Sequence, residues 1–341
     1  MLGAAVLCGL SACGPHSSSV KAGVDATSDA YALVPADGPC VTPAGVTTLL
    51  ADYAYAIAID GDKVYLATMA GVLRVPAAGG QSIALTANAE AYALAIDATN
   101  AYYVSDHASG PPNAEGKVST TTALYAAPLA GGTPQILLDG EFAMHMATDG
   151  TWLWWAGGDL YGMALGRPAA PVAFPLEAGA SVEALAVGRD SLFLAVYSIG
   201  TQGLGAGSIR RANKDGSGVA TIVSGLGHPT AITVDDNAVY FNDADSPSGG
   251  IARAGLDGTG KTTIAQVLAG SLAVDAHSVY FASADAILKV PKTGGTVETV
   301  QNGLKSPGTL AVAPGNVYWV DGTSVARSDP NPGYAVMTAC K

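Results

Sequence analysis

The 341-residue chain has little charge. Only 13% of its residues are Asp, Glu, Lys or Arg, and cations are the scarcer kind, 16 against 28 acids, for a formal net charge of −12. A deficit of Lys and Arg argues against nonspecific binding to nucleic acid or anionic headgroups. Cysteine is also rare, at four residues, too few for a disulfide-built scaffold. Long uninterrupted helices are excluded by 43 glycines and 19 prolines. No GxSxG, HExxH or CxxC spacing occurs. The sequence therefore assigns no catalytic residue, no metal ligand and no cofactor. What it has is apolar material, 49% of residues, which excludes disorder throughout and supplies a large core or two ordinary ones.

The first apolar run, Met1 to Leu7 and on through Cys8-Gly9-Leu10, is too short to span a bilayer as a helix. It reads as the hydrophobic part of a signal peptide, although no Lys or Arg precedes it. Leu10-Ser11-Ala12-Cys13 resembles the lipobox of bacterial lipoproteins. That resemblance implies cleavage after residue 12 and lipid on Cys13. Residues 13–39, rich in Ser, Ala, Gly and Asp, read as a flexible tether. Residues 40–341 form the folded body, which has no second run of membrane-spanning length. The expectation is a membrane contact made only through the lipid.

From residue 54 onward one pattern repeats. It begins with an alternating strand that commonly ends in Asp: Ala58-Ile59-Asp60, Ala95-Ile96-Asp97, Ala147-Thr148-Asp149, Ala186-Val187-Gly188, Thr233-Val234-Asp235, Ala273-Val274-Asp275 and Ala311-Val312-Ala313. A second strand follows, as in Val239-Tyr240-Phe241, Val279-Tyr280-Phe281 and Val317-Tyr318-Trp319. A third carries Val72-Leu73-Arg74-Val75-Pro76 or Ile287-Leu288-Lys289-Val290-Pro291, and a glycine turn leads to a short fourth. Four strands in roughly 40 residues with period-two alternation is the signature of a β-propeller blade. Seven starts predict an all-β, seven-bladed propeller of four-stranded antiparallel blades. Six blades with a stray repeat, or eight with one degenerate, are the competing counts.

The last repeat shows no fourth strand after residues 324–327. Val46-Thr47-Thr48-Leu49-Leu50 precedes the first repeat and has fourth-strand composition, so this N-terminal strand is expected to complete the last blade and remove two sheet edges. Closure would bring Cys40 beside Cys340, which predicts a disulfide.

In a ring of this kind the links between blades and the connections between second and third strands share one rim. The long insertions fall there and carry Asp106, His107, Asp243 and Asp245. Tyr53, Tyr55, Glu90, Tyr92, Glu141, Phe142, His145, Glu183 and His228 approach the same rim near the axis and form the candidate binding rim. Asp60, Asp97, Asp149, Asp235 and Asp275 are better explained as turn caps. The GTGKTT stretch at 258–263 falls in a turn register and lacks full phosphate-loop spacing. In Trp152-Leu153-Trp154-Trp155, Trp152 and Trp154 are expected in the core, and Trp155 could offer a carbohydrate platform.

These VYF/VYW strands and the LxxVPxxGG turns resemble divergent propellers of exported bacterial lipoproteins, including myxobacterial ones, and the broader TolB-like, NHL-like and YWTD-like group. The resemblance covers about residues 46–327. It implies an envelope module, periplasmic or at the cell surface, that binds a protein or glycan. The alternatives are an extracellular polymer-degrading hydrolase or lyase using Glu141, His145, Glu183 or His228, and a purely structural envelope component.

Overall fold

Successive side chains in a strand point to opposite faces, so an alternating strand can feed two cores at once. The computed structural model is built on that property. It describes residues 23–25, 28–29, 40, 45–86, 90–108, 110, 119–167, 170–199, 205–244, 249–322 and 334–341. Seven antiparallel blades of four body strands surround an axis. The innermost strands of blades 1 to 7 are Ala54–Asp60, Ala91–Ile96, His145–Thr148, Ala180–Val187, Ile232–Val234, Ser271–Val274 and Leu310–Ala313. Neighbouring innermost strands touch all the way round, and the last touches the first.

Seven hydrophobic cores lie between consecutive blades. In blade 1, Ala58 and Tyr65 pack with Leu94, Ile96 and Tyr103 of blade 2. On the other face Ile57, Ile59 and Leu66 pack with Ala311 and Tyr318 of blade 7. The small position of the innermost strand (Ala58, Ala95, Ala147, Ala186, Ala273, Ala311) is essentially inaccessible in every blade that has it.

Blade 7 closes the ring. Its strands in order are Leu310–Ala313, Asn316–Asp321, Ala335–Cys340 and Thr47–Leu50. Thr47 faces Thr338 and Thr48 faces Met337 in an antiparallel register. The N-terminal strand is thus the fourth strand, as expected. The third strand is not at 324–327, which lies outside the described residues, but at Ala335–Cys340. Its Val336 and Thr338 are fully buried, and Thr338 Oγ1 accepts a hydrogen bond from Asn316 Nδ2 at 3.2 Å. Cys40 and Cys340 are disulfide-bonded, with Cα atoms 5.5 Å apart. Within the stretch read as tether, Gly23–Asp25 pairs antiparallel with the innermost strand of blade 1, and Ser28–Asp29 pairs parallel with that of blade 4. The signal stretch, Cys13 and the rest of the tether lie outside the described residues.

The Trp cluster shows how tightly the seams are filled. Trp154 and Trp155 point to opposite faces of blade 3 and are both fully buried, in the cores toward blades 4 and 2 respectively. Trp155 therefore offers no exposed platform, which corrects that expectation. Trp154 pairs across the strands with Gly162, where an added Cβ would lie 2.7 Å from the indole Cδ1 and 3.1 Å from Phe174. Overpacking of this kind costs roughly 1–3 kcal/mol. Gly162→Val is expected to lower the urea midpoint accordingly, and an unchanged midpoint would show that the indole moves aside freely.

Candidate functional site

Each innermost strand runs away from one rim, so the links between blades and the connections from second to third strands gather there. Its most ordered feature is a run of tyrosines. Tyr53 packs against Tyr334, tilted by 60° with ring centroids 4.5 Å apart, and meets Tyr55 edge-on at 4.8 Å. Tyr55 meets Tyr92 at 5.9 Å. The Tyr55 hydroxyl donates to Glu90. The Tyr92 hydroxyl donates to Asp106 at 3.0 Å and lies 3.4 Å from Glu90. Burial, then the hydrogen bond to Asp106 and the charge of Glu90, push the Tyr92 phenol well above its usual range. It stays a neutral donor to these carboxylates.

The other rim residues are engaged in different ways. Glu141 accepts the Trp155 Nε1 hydrogen at 2.9 Å. His145 lines a small axial cavity of about 150 Å³ with Thr230, Ser271 and Thr309. Glu183 and His228 do meet, Oε2 to Nε2 at 3.4 Å, with the Tyr197 ring 4.3 Å from the imidazole. Asp106 and His107 lie near the end of the long second strand of blade 2, Asn100–Ala108. His107 Nε2 lies 2.8 Å from Asp139 Oδ1. Asp243 accepts the Gly227 amide at 2.7 Å, which ties down the link to blade 5. Asp245 lies outside the described residues. Among the described residues no three His, Cys, Asp or Glu side chains are grouped so as to share a metal ion.

Exposed large apolar residues are the feature that the sequence did not advertise. Phe142 (49% exposed) was expected on this rim, but Met69, Met144, Ile199 and Leu268 join it at 42%, 61%, 62% and 60%. All lie in links between blades or at the junctions of second and third strands. The remaining exposed large hydrophobes, Ile83, Ile136 and Val172, lie on outermost strands. Among the described residues the opposite rim has none. A lone Met or Leu in a loop looks like a core residue until its burial is known, which is why these four were missed.

The opposite rim is polar and internally paired. Four of the turn Asp residues, Asp97, Asp149, Asp235 and Asp275, cap their own backbone: Asp235 Oδ1 accepts the amides of Asn237 and Ala238, and Asp275 Oδ1 those of His277 and Ser278, all at 2.8 Å. Their second oxygens accept the hydroxyls of Tyr240 and Tyr280 at 3.0 Å, and Tyr102 serves Asp97 at 2.7 Å. A constant spacing of five from Asp to Tyr is the signal that could have revealed these bonds. A lysine from the next blade then crosses the seam: Lys214 to Asp149 at 2.8 Å, Lys292 to Asp235 at 2.6 Å and Lys341 to Asp275 at 2.8 Å. Each lysine occupies the position just after a third strand.

Burial raises the pKa of these three carboxyls, but the lysines and amide donors outweigh it, and the net shift is downward. A carboxyl with a depressed folded-state pKa stabilises the fold fully above its unfolded pKa, about 4, and loses that contribution as pH falls through the folded value. Stability measured by urea titration is therefore expected to be flat from neutral pH to about 5 and to decline below about 4. A decline already complete above pH 5 would contradict the linkage.

The other four seams lack this ion pair, because Ala77, Leu129, Leu165 or Leu256 follows the third strand there, and between blades 4 and 5 the Asp is absent too. Gly188 stands where the Asp would be, and Leu256 where the Lys would be. A Cβ on Gly188 would lie 3.0 Å from the Phe193 ring, which explains the glycine. A cleft of about 350 Å³ opens there, lined by Arg189, Ser191, Arg211 and Asp236 among others. Arg189 spans it to Asp236 at 2.9 Å.

The fold has solved counterparts. A puromycin-hydrolysing peptidase from Mycobacterium tuberculosis aligns with a TM-score of 0.55 and 16% identity, over 78% of this chain and 50% of the peptidase. A prolyl endopeptidase aligns at 0.53 and 12%, over 84% of this chain and 48% of its own. BamB from Moraxella catarrhalis aligns at 0.51 and 14%, over 82% and 80%. The chain thus spans about half the length of the two peptidases. No protein-family model matches the sequence, and no curated protein matches it. At these identities the likeness establishes the propeller fold.

Proposed function

We propose that the chain is an exported lipoprotein, held to a bacterial membrane through Cys13, whose propeller docks a protein or glycan on the tyrosine-bearing rim. The observation that carries this reading is the segregation of exposed apolar side chains: Met69, Phe142, Met144, Ile199 and Leu268 share one rim, while among the described residues the other has no exposed large apolar side chain and is bridged by ion pairs at three seams. Exposed apolar side chains gathered on one face of a repeat ring mark a contact surface. The Cys40–Cys340 bond supports an oxidising compartment, as export provides. The hydrolase or lyase alternative rests on the Glu183–His228 contact, with Glu141 engaged by Trp155 and His145 lining the axial cavity.

The test is site-specific photocrosslinking in the native envelope. A photoreactive residue at Met144 is expected to give a discrete adduct, and one at Asp62 on the opposite rim none. Adducts from Asp62 alone, or from neither position, would overturn the reading.

A further inference from the structure

Resting on that docking reading, we infer that the occupant of the rim is a protein presenting a cationic surface with apolar anchors. Two independent distributions lead there. The exposed apolar side chains are spread around the ring: Met69 on blade 1, Phe142 and Met144 before blade 3, Ile199 on blade 4, and Leu268 before blade 6. Covering them together takes a broad surface that crosses the axis. A single extended sugar chain would leave most of them in water. Two of the five are methionines, whose flexible side chains adapt to a partner's relief.

The charges between these anchors are predominantly acidic. Glu90, Asp106, Asp159, Glu183 and Asp285 lie on or close to the rim, and Asp106, Asp159 and Asp285 are exposed. Few cations reach it. Among the described residues these are Lys305, Arg210, which is paired with Glu177, and Lys261, 4.0 Å from Asp243. Arg210 takes Glu177 out of play, drawing its carboxyl down to about 2. The other described lysines and arginines lie along outer strands, such as Arg74, Arg253 and Lys289, or at the opposite rim. A neutral or acidic partner would desolvate these carboxylates without compensation, and like charges facing each other across an interface cost several kcal/mol. A basic surface gains from them in both approach rate and specificity. An anionic glycan or anionic headgroup would be repelled.

The experiment uses two synthetic amphipathic helical peptides of equal leucine content, one Lys/Leu and one Glu/Leu, titrated against the folded protein by fluorescence anisotropy at two salt concentrations. Two triple variants remove equal charge: Asp106→Asn, Asp159→Asn and Asp285→Asn on the rim, and Asp62→Asn, Asp190→Asn and Asp215→Asn opposite. The Lys/Leu peptide is expected to bind, to weaken with salt, and to lose about tenfold or more in affinity on the rim triple but less than about twofold on the control. Circular dichroism confirms that both triples fold. Equal losses on the two triples, no binding of the Lys/Leu peptide, or equal binding of the Glu/Leu peptide would overturn the inference. The two readings fail separately. A Met144 adduct whose partner peptide is not basic leaves docking standing and removes the cationic partner, whereas the absence of any Met144 adduct removes docking itself.

Discussion

Replacing Lys341 with methionine is expected to destabilise the fold by about 3–5 kcal/mol, the usual consequence of stripping the partner from a buried charge. Asp275 is only 2% exposed, and the Lys341–Asp275 side chains are 7% and 1% accessible. Lys341 Nζ lies 2.8 Å from the carboxylate and 5.3 Å from the centre of the Tyr280 ring. Methionine keeps the length of the side chain and removes its charge, so the carboxylate keeps the Tyr280 hydroxyl and two amides but loses the Lys341 ammonium. The variant should recover part of its loss as pH falls and Asp275 protonates, the reverse of the wild-type trend. Adding Asp275→Asn should restore much of the stability at neutral pH, because the cost comes from the orphaned charge. The three seams should rank by burial. Lys292 to Asp235 is 16% and 2% accessible, and Lys214 to Asp149 is 23% and 19%, so Lys214→Met should cost least, about 1 kcal/mol. Equal losses at Lys341 and Lys214 in urea unfolding would refute the ranking.

These seams also separate what the sequence discloses from what it conceals. Strand alternation and glycine turns are local, and they disclosed the blade count, the inner alanines and the capping role of Asp97, Asp149, Asp235 and Asp275. The closing strand at Thr47–Leu50 was legible for the same reason, since an unpaired fourth strand at one end answered a missing one at the other. The third strand of blade 7 was not, because Ala335–Cys340 follows a long connection and its pattern, Val336 and Thr338 inward, has a polar member. The lysine crossings were hidden because they join residues 57 to 66 apart in sequence, and no local period encodes them. They become visible only when the residue after each third strand is aligned with the end of the preceding blade's innermost strand. Lysine then meets Asp149, Asp235 and Asp275, whereas Leu129 and Leu165 meet Asp60 and Asp97, and Leu256 meets Gly188. On the rim, the tyrosines and carboxylates were legible as types at recurring positions. Their pairing, Tyr55 to Glu90 and Tyr92 to Asp106, depends on the distance between adjacent blades and had to be seen.

Removing the disulfide, with Cys40→Ser and Cys340→Ser together, is expected to cost up to about 5 kcal/mol, the upper end for chain cross-links because the closed loop spans 300 residues. Blade 7 is the one blade assembled from both ends of the propeller body. Its closing ladder is short, from Thr47 to Leu50, and only Leu49 of that strand is buried. Without the cross-link the open ring gains the entropy of a long free loop, and its first local opening is the loss of this strand. That opening uncovers Leu49, Ile57 and Val336 in the core between blades 7 and 1. Hydrogen exchange should therefore lose protection first at residues 47–50 and 336–339, ahead of blades 3 to 5, and the thermal midpoint should fall. Unchanged exchange at residues 47–50 in the double serine variant would show that the ladder holds the seam unaided. The two largest effects are also coupled. Cys340 adjoins Lys341, so the cross-link holds in place the residue that neutralises Asp275. Once blade 7 opens, that ion pair is already broken. The combined variant should therefore lose less than the sum of the separate losses, and full additivity would mean that the cross-link and the ion pair hold different parts of the ring.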